Sequence, residues 1–336
     1  GRKIHKGYTA HLGGVVIFFA FAIAMFSSVL QMVDKVNMIQ LLAFIILLSI
    51  VVVLGIRDDM NSLSPRVKLF CEIVVGFLFC YLDIRLYSFY GLFGIRELPI
   101  WLSYLLTIAL IIVVCNAYNL IDGIDGQAGM QALAVFIFLA GFLMHLIYTT
   151  NVLKLDSFFA NANFWMIAFV AIIGSLIGFL VFNWQPAKIF MGDTGSLFIG
   201  TLIALSIIMS MNYSGADPIL IYDYEIKAKI LVFPMFFFLP FADTLRVFIS
   251  RIKRGKSPFL ADKTHIHHFL LRTGYSHQRT TITTFIISVI VSLISSIVAF
   301  LISDLYYILY IILMWVTYVF VLRFTVQKKI AKLKQD

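Results

Sequence analysis

The stretch Asn116-Ala-Tyr-Asn-Leu-Ile-Asp-Gly-Ile-Asp-Gly126 gathers two Asn, two Asp and two Gly into eleven positions, directly after the uncharged run Ile100 to Cys115. If Leu102 to Asn119 is helical, Asn116 and Asn119 stand at i, i+3 on one face, and Asp-Gly-Ile-Asp-Gly reads as a turn beyond the helix end. Asn and Asp oxygens then converge at the water-facing mouth of a helix. Polar groups placed against lipid cost several kcal/mol, in rough terms, unless something answers them. A plain helix exit, in which Asn and Asp only cap and turn, would use the same residues, so the rest of the chain has to decide.

Four further clusters bear on the decision. Asp58-Asp59 places two carboxylates side by side at a helix end, where like charges repel and the C-terminal dipole disfavours anions; helix punctuation before Ser62 to Pro65 is the plainer reading. Asn183-Trp-Gln-Pro-Ala-Lys-Ile-Phe-Met-Gly-Asp-Thr-Gly-Ser196 leads into another apolar run. There Asp193 is positioned to N-cap the next helix, whose N-terminus suits a phosphate, and Phe190 offers a face to a base. Arg251-Ile-Lys-Arg-Gly-Lys256 is followed by His265-Ile-His267-His268. That loop has no Cys and no familiar zinc spacing, so Arg, Lys and His are better employed on a phosphate. The fifth cluster is the basic and glycine-bearing segment Arg2 to Gly14.

These clusters must be carried by membrane helices. Apolar and aromatic residues make up 61% of the 336, and charged residues 13%, against about 25% charged in soluble domains. The composition excludes a soluble globular protein and implies an all-α, polytopic bundle. Ten apolar stretches have spanning length, near 12–32, 38–56, 66–83, 100–119, 127–149, 160–182, 195–213, 225–249, 280–303 and 305–324. The eighth carries Pro234 and Pro240 and is expected to be kinked or broken, with Asp243 and Arg246 paired near its end. Placing both termini in the cytoplasm puts 20 of the 26 Lys and Arg inside, as the positive-inside rule requires. All five clusters then fall on the cytoplasmic side. Leu86 to Pro99 is expected to form an external hairpin or re-entrant piece, and Met211 to Glu225 a polar loop. Cys71, Cys80 and Cys115 sit in apolar runs as packing residues. No linker or repeat divides the chain, so residues 1–336 form one domain, with 250–279 as its basic and His-bearing cytoplasmic loop.

Asp58, Asp59, Asp122, Asp125 and Asp193 thus face a cationic loop across one site. Repelling acids imply a divalent cation, and oxygen ligands favour Mg²⁺ or Mn²⁺. A cation together with a basic loop implies a polyanionic ligand, most simply a diphosphate. Nothing calls for nucleic acid.

The ordered set Asp58-Asp59, Asn116-x-x-Asn119-x-x-Asp122-Gly-x-Asp125-Gly, Phe190-Met-Gly-Asp193-x-Gly-Ser196 and His265-x-His-His268 resembles the polyprenyl-phosphate N-acetylhexosamine-1-phosphate transferase superfamily, from about residue 2 to 275. The His form, preceded by Lys256-Ser-Pro-Phe259 and Asp262, looks like the WecA and TagO branch rather than the phospho-MurNAc-pentapeptide translocases. The resemblance implies an enzyme of the bacterial cytoplasmic membrane that moves GlcNAc-1-phosphate from UDP-GlcNAc to undecaprenyl phosphate and releases UMP, with Mg²⁺. By position, Asp193 and Asn119 would hold the metal, and Asp58, with Asp59 beside it, would take or position the proton of the acceptor phosphate. Asp125, Asn183 and Phe190 would line the uridine pocket, with Asp122 and Lys6 close by and Asn116 among the substrate-binding residues. His265, His267, His268 and one or more of Arg251, Arg254 and Lys256 would hold the sugar and diphosphate. The family usually has eleven spans, so one N-terminal helix is expected to be absent here; a homodimer is also compatible with the resemblance. Ala10 stands where the family carries Pro, and Gln127 where it carries Leu, which bears on loop shape and sugar choice rather than on the reaction.

A phosphate monoester has a second pKa near ~6 and is mostly ionised at neutral pH. Bringing two anions together therefore matters more than general-base catalysis. Direct attack of the lipid phosphate on the sugar-bearing phosphorus is expected, with a phospho-Asp intermediate as the competing route. The reading from another class is a secondary transporter of a phosphorylated metabolite built on the broken eighth span.

Overall fold

The computed structural model describes residues 13–30, 38–149, 162–213, 220–221, 224–225, 230–256 and 264–332. Lys6, Ala10 and Asp262 lie outside the described residues. The fold is a helical membrane bundle: α1 (Gly13–Leu30), α2 (Met38–Met60), α3 (Pro65–Tyr81), α4 (Ile100–Ile121), α5 (Gln127–Thr149), α6 (Ala162–Asn183), α7 (Gly192–Tyr213), α8 (Val232–Met235), α9 (Phe238–Lys253), α10 (Ile266–Arg272), α11 (His277–Leu301) and α12 (Asp304–Lys332). Two strands of two residues, β1 (Leu220–Ile221) and β2 (Tyr224–Glu225), pair antiparallel with Leu220 opposite Glu225. They fall in the segment expected to be only a polar loop.

Among the described residues seven helices are long and apolar enough to cross a membrane: α2, α4, α5, α6, α7, α11 and α12. The other three expected spans are present but shorter. α1 contributes an apolar helix over Gly13–Ser28, α3 has 17 residues, and the eighth stretch is split into α8 and α9. Pro234 lies inside α8 and Pro240 in the first turn of α9, and Phe237 between them leaves helical geometry at φ −107 and ψ 17. Lost amide donors and ring clashes break the helix there, as the two prolines foretell.

α7 is the axis of the bundle. Its residues from Thr194 to Met211 are all buried, and α1, α2, α4, α5 and α8 pack around it. Such enclosure requires small side chains at the crossings. At Gly200, a Cβ would lie 2.8 Å from the Cα of Cys115, where α4 passes. Cys115 and Cys80 are buried free thiols, as expected of packing residues. α12 lies at the periphery, with Leu305, Leu309, Ile312, Val316 and Phe320 exposed for lipid.

Helix ends follow local chemistry. Ser64 caps α3 ahead of Pro65, its Oγ accepting from Val67 N at 3.4 Å. Ser276 caps α11 in the same way, accepting from Arg279 N at 3.2 Å. α4, α7 and the end of α2 therefore bring Asn119, Asp193 and Asp58-Asp59 to one end of the bundle.

Candidate active site

Lys68 on α3 joins two of the acidic motifs. Its ammonium donates to Asp58 Oδ2 at 2.9 Å and reaches Asp193 Oδ1 at 3.5 Å. Asp58 Oδ1 also accepts from Leu63 N at 2.7 Å, closing the turn between α2 and α3. Asn119 donates through Nδ2 to Asp193 Oδ1 and to Ser196 Oγ, the latter at 2.7 Å. Asp58, Asn119 and Asp193, drawn from three separate stretches, therefore share one pocket.

Asp59 faces a different partner. Its Oδ1 accepts from Asp193 N at 2.9 Å, and its Oδ2 from Thr194 N at 2.9 Å and Thr194 Oγ1 at 2.6 Å. Two expectations are corrected here. Asp193 is not the N-cap of α7, since Asp59, reaching across from α2, caps it instead. The paired acids also find protein counter-charges, Lys68 for Asp58 and the positive end of α7 for Asp59. Gly192 makes the arrangement possible: it takes φ +71, and a Cβ there would lie 2.7 Å from Asp59 Oδ2. Asp59→Ala should remove a cap worth about 1–2 kcal/mol and lower the thermal midpoint by roughly 2–4 °C, measured in detergent. An unchanged midpoint with lost activity would instead mark Asp59 as purely catalytic.

The Asp122 to Gly126 turn is stapled to the loop before α7. Asp125 Oδ2 accepts from Ala187 N at 3.1 Å. Asn183 Oδ1 accepts from Gly126 N at 2.9 Å while its Nδ2 donates to Ile189 O at 2.8 Å. Asp125 and Asn183, expected in a uridine pocket, are buried and hold this loop together. Phe190 is half-buried between them and Asp193, its carbonyl accepting from Gly13 N at 3.0 Å.

Asp122 closes α4 and is half-buried. Burial, with the Asp193 and Asp59 carboxylates nearby, pushes it up to about 7 against the opposing pull of the Gly192 amide. An unfolded Asp titrates near ~4, so between these values the folded state holds a proton that the unfolded chain has released. Rising pH therefore removes stability across that window, and the loss is complete above about 7. Asp122→Asn should flatten this slope in thermal midpoints taken from pH 5 to pH 8; an unchanged slope would refute the assignment.

The histidines reach the same place. His265 Nδ1 lies 2.8 Å from Asp243 Oδ2, and Asp243 also takes Ile266 N at 3.1 Å, Arg246 at 2.6 Å and the Tyr318 hydroxyl at 2.8 Å. The expected Asp243–Arg246 pair is present, and it additionally orients a histidine. His267 lies parallel to His265 with ring centroids 6.0 Å apart and meets His268 at 4.2 Å with the rings tilted by 54°. It also packs on the Asp122 turn, because a Cβ at Gly123 would fall 2.5 Å from its Nε2. Burial and the neighbouring rings push His267 down to about 3, so it is neutral at physiological pH. His265 Nε2 and His267 Nδ1 are buried without hydrogen-bond partners, the condition of groups awaiting a ligand. At the end of α9, Arg251 is buried while Arg254 and Lys256 are exposed.

Asn116 departs from its neighbours. Its Nδ2 donates to Glu72 Oε2 at 2.8 Å, between α3 and α4, rather than into the acidic pocket. Neither Glu72 nor the bridging role of Lys68 was anticipated. The available signal is their i, i+4 spacing inside an apolar run, since ionisable residues within a span are costly and keep a partner.

A metal fits this pocket only as a shared guest. Among the described residues no three of His, Cys, Asp and Glu lie close enough to cage an ion. The protein hydrogen bonds to Asp193 fall on Oδ1, which leaves Oδ2 for a ligand. One or two protein oxygens, with substrate phosphates and water completing the shell, is the usual way Mg²⁺ is held.

A family model for glycosyl transferase family 4 matches residues 41–211, which contain the Asp58-Asp59, Asn119 and Asp193 motifs. A "Probable undecaprenyl-phosphate N-acetylglucosaminyl 1-phosphate transferase" of Bacillus subtilis is 31% identical over 293 residues, covering 85% of this chain and 72% of its own. The chain belongs to glycosyl transferase family 4. Other similar proteins include a "Decaprenyl-phosphate N-acetylglucosaminephosphotransferase" of Mycobacterium leprae, 29% identical over 85% of this chain and 72% of its own. A "Phospho-N-acetylmuramoyl-pentapeptide-transferase" of Campylobacter curvus is 33% identical over 62% of each chain.

Proposed function

We propose that the protein transfers N-acetylglucosamine-1-phosphate from UDP-GlcNAc to undecaprenyl phosphate, releasing UMP, at the cytoplasmic side of a bacterial cytoplasmic membrane. The product would be the first lipid-linked intermediate of a cell-surface polysaccharide. The observation that carries the proposal is the Asp58–Lys68–Asp193–Asn119 chain, a cation set between carboxylates at a helix mouth. The names of the similar enzymes support the coarser part of this reading, transfer of an N-acetylglucosamine phosphate group to a polyprenyl phosphate.

In the proposed reaction an acceptor phosphate oxygen attacks the sugar-bearing phosphorus, and the bond to the bridging oxygen breaks. UMP leaves with that electron pair. Asp193 and Asn119 would hold Mg²⁺, which when bound supplies positive charge to the donor diphosphate. Lys68 offsets the repulsion between the two approaching anions, and Asp58, fixed by Leu63 N and Lys68, holds it in place. His265 and His267 offer their unpartnered nitrogens to the sugar and diphosphate, and Asp243 fixes the His265 ring. Arg251, Arg254 and Lys256 stand at the mouth of the same loop.

The deciding assay is UMP release by purified protein from UDP-GlcNAc, requiring both undecaprenyl phosphate and Mg²⁺. Failure to release UMP when all are present would sink the proposal. Competition by other UDP-N-acetylhexosamines then fixes the donor, and a labelled protein formed from UDP-sugar alone would replace direct attack by the phospho-Asp route.

A further inference from the structure

The end of the bundle away from Asp193 holds a second cavity, of ≈650 Å³, among Arg85, Tyr87, Tyr90, Arg96 and Glu97. α7 measures the separation. It has 22 residues, about 33 Å at 1.5 Å per residue, with Asp193 in its first turn and Asn212 in its last. Asn212 anchors the cavity wall: its Nδ2 donates to Arg85 O at 2.7 Å, its Oδ1 accepts from Tyr87 N at 3.2 Å, and its carbonyl accepts from the Tyr90 hydroxyl at 3.0 Å. The cavity therefore sits a membrane thickness from the active site, on the outer face if the basic residues of the chain mark the inner one.

The wall is a built structure. Leu86 N donates to Thr107 Oγ1 at 2.9 Å, and Ser103 Oγ donates to Leu86 O at 2.6 Å. Asp83, Tyr90 and Phe93 take positive φ of 64, 50 and 55, the non-glycine cases among the described residues. Such conformations persist where the surroundings hold them, and they gather at ligand clamps.

Charge and position indicate what the cavity takes. The Arg85 guanidinium carbon lies over the Tyr87 ring, 4.7 Å from its centroid, and the group is fastened to Asp83 at 3.1 Å and Ser103 at 3.1 Å. Arg96 and Glu97 are exposed, and among the described residues neither makes a hydrogen bond or ion pair. Guanidinium forks suit phosphate oxygens, and a carboxylate beside them suits an ammonium or hydroxyl. Phe93 and Trp101, each 66% exposed, lie within a few residues of the lining Tyr90, Arg96 and Glu97 in sequence; aromatic side chains of this kind settle at headgroup depth. We propose that this cavity binds the phosphate of a membrane-lipid headgroup, on the membrane face opposite the active site.

The test uses the delipidated full chain in detergent, read by native mass spectrometry and thermal midpoint. Phosphatidylethanolamine and phosphatidylglycerol should bind and stabilise, whereas diacylglycerol with the same acyl chains should not. Arg96→Gln should weaken phospholipid binding by about tenfold, the effect of one charged hydrogen bond, while the exposed Arg323→Gln, on α12, should leave it unchanged. Equal binding by wild type and Arg96→Gln, or diacylglycerol binding as well as phospholipid, would overturn the proposal. Inorganic phosphate that displaces the lipid would support the same recognised group with a soluble source; failure to displace it at millimolar concentration supports the lipid source.

Discussion

Asp193→Asn is expected to abolish turnover, lowering UMP release more than about a hundredfold, the usual scale for removing one group that stabilises a transition state electrostatically. The substitution keeps shape and removes charge. Asn119 Nδ2 and Lys68 Nζ both point at Asp193 Oδ1, and an amide oxygen in that place can still accept from both but no longer balances a cation. The start of α7 should survive, because it is Asp59 that caps it. Loss of activity should therefore come without a large loss of stability, and any residual rate should demand more Mg²⁺. Retained activity at ordinary Mg²⁺ would remove Asp193 from the proposed metal site.

Lys68→Met should act on stability and turnover together. The methionine fills the aliphatic path of the lysine but leaves Asp58 and Asp193 without their shared cation. Breaking a fully buried pair costs roughly 3–5 kcal/mol. Here Asp58 is 9% exposed but Asp193 is 34% exposed, so water recovers part of the loss and about 2 kcal/mol is a fairer expectation. Turnover should fall further, because the same ammonium faces the meeting point of two anionic substrates. Thermal midpoint and UMP release, measured on one preparation, check both halves. A stable variant with normal turnover would show that the bridge is ornamental.

Much of this was legible in the order of residues. The Asn116 to Gly126 run marks a helix mouth because polarity, turn chemistry and an apolar approach coincide there, and α4 and its turn follow. The paired Asp58 and Asp59 announce a need for positive charge. What answers them depends on tertiary packing, since Lys68 reaches Asp58 and Asp193 only because α3 turns back beside α2 and α7. Counted by itself, Lys68 is one more cytoplasmic-loop cation. Asn116 and Asn119 share a face as their spacing requires, yet Glu72 draws one of them aside. The break in the eighth span was visible in Pro234 and Pro240; that Asp243 beyond it would aim His265 was not, because the partners lie 22 residues apart.

The enclosure of α7 has a mechanical consequence. Bilayers of differing thickness strain proteins through the helices that touch lipid, which tilt or bend to match the hydrocarbon depth. α12 and the outward faces of α3 and α6 must absorb such deformation, while a rod jacketed by protein along its length does not sense it. Asp193 at one end and Asn212 at the other thus keep a constant spacing, and the register of the catalytic pocket is insulated from the composition of the membrane that surrounds it.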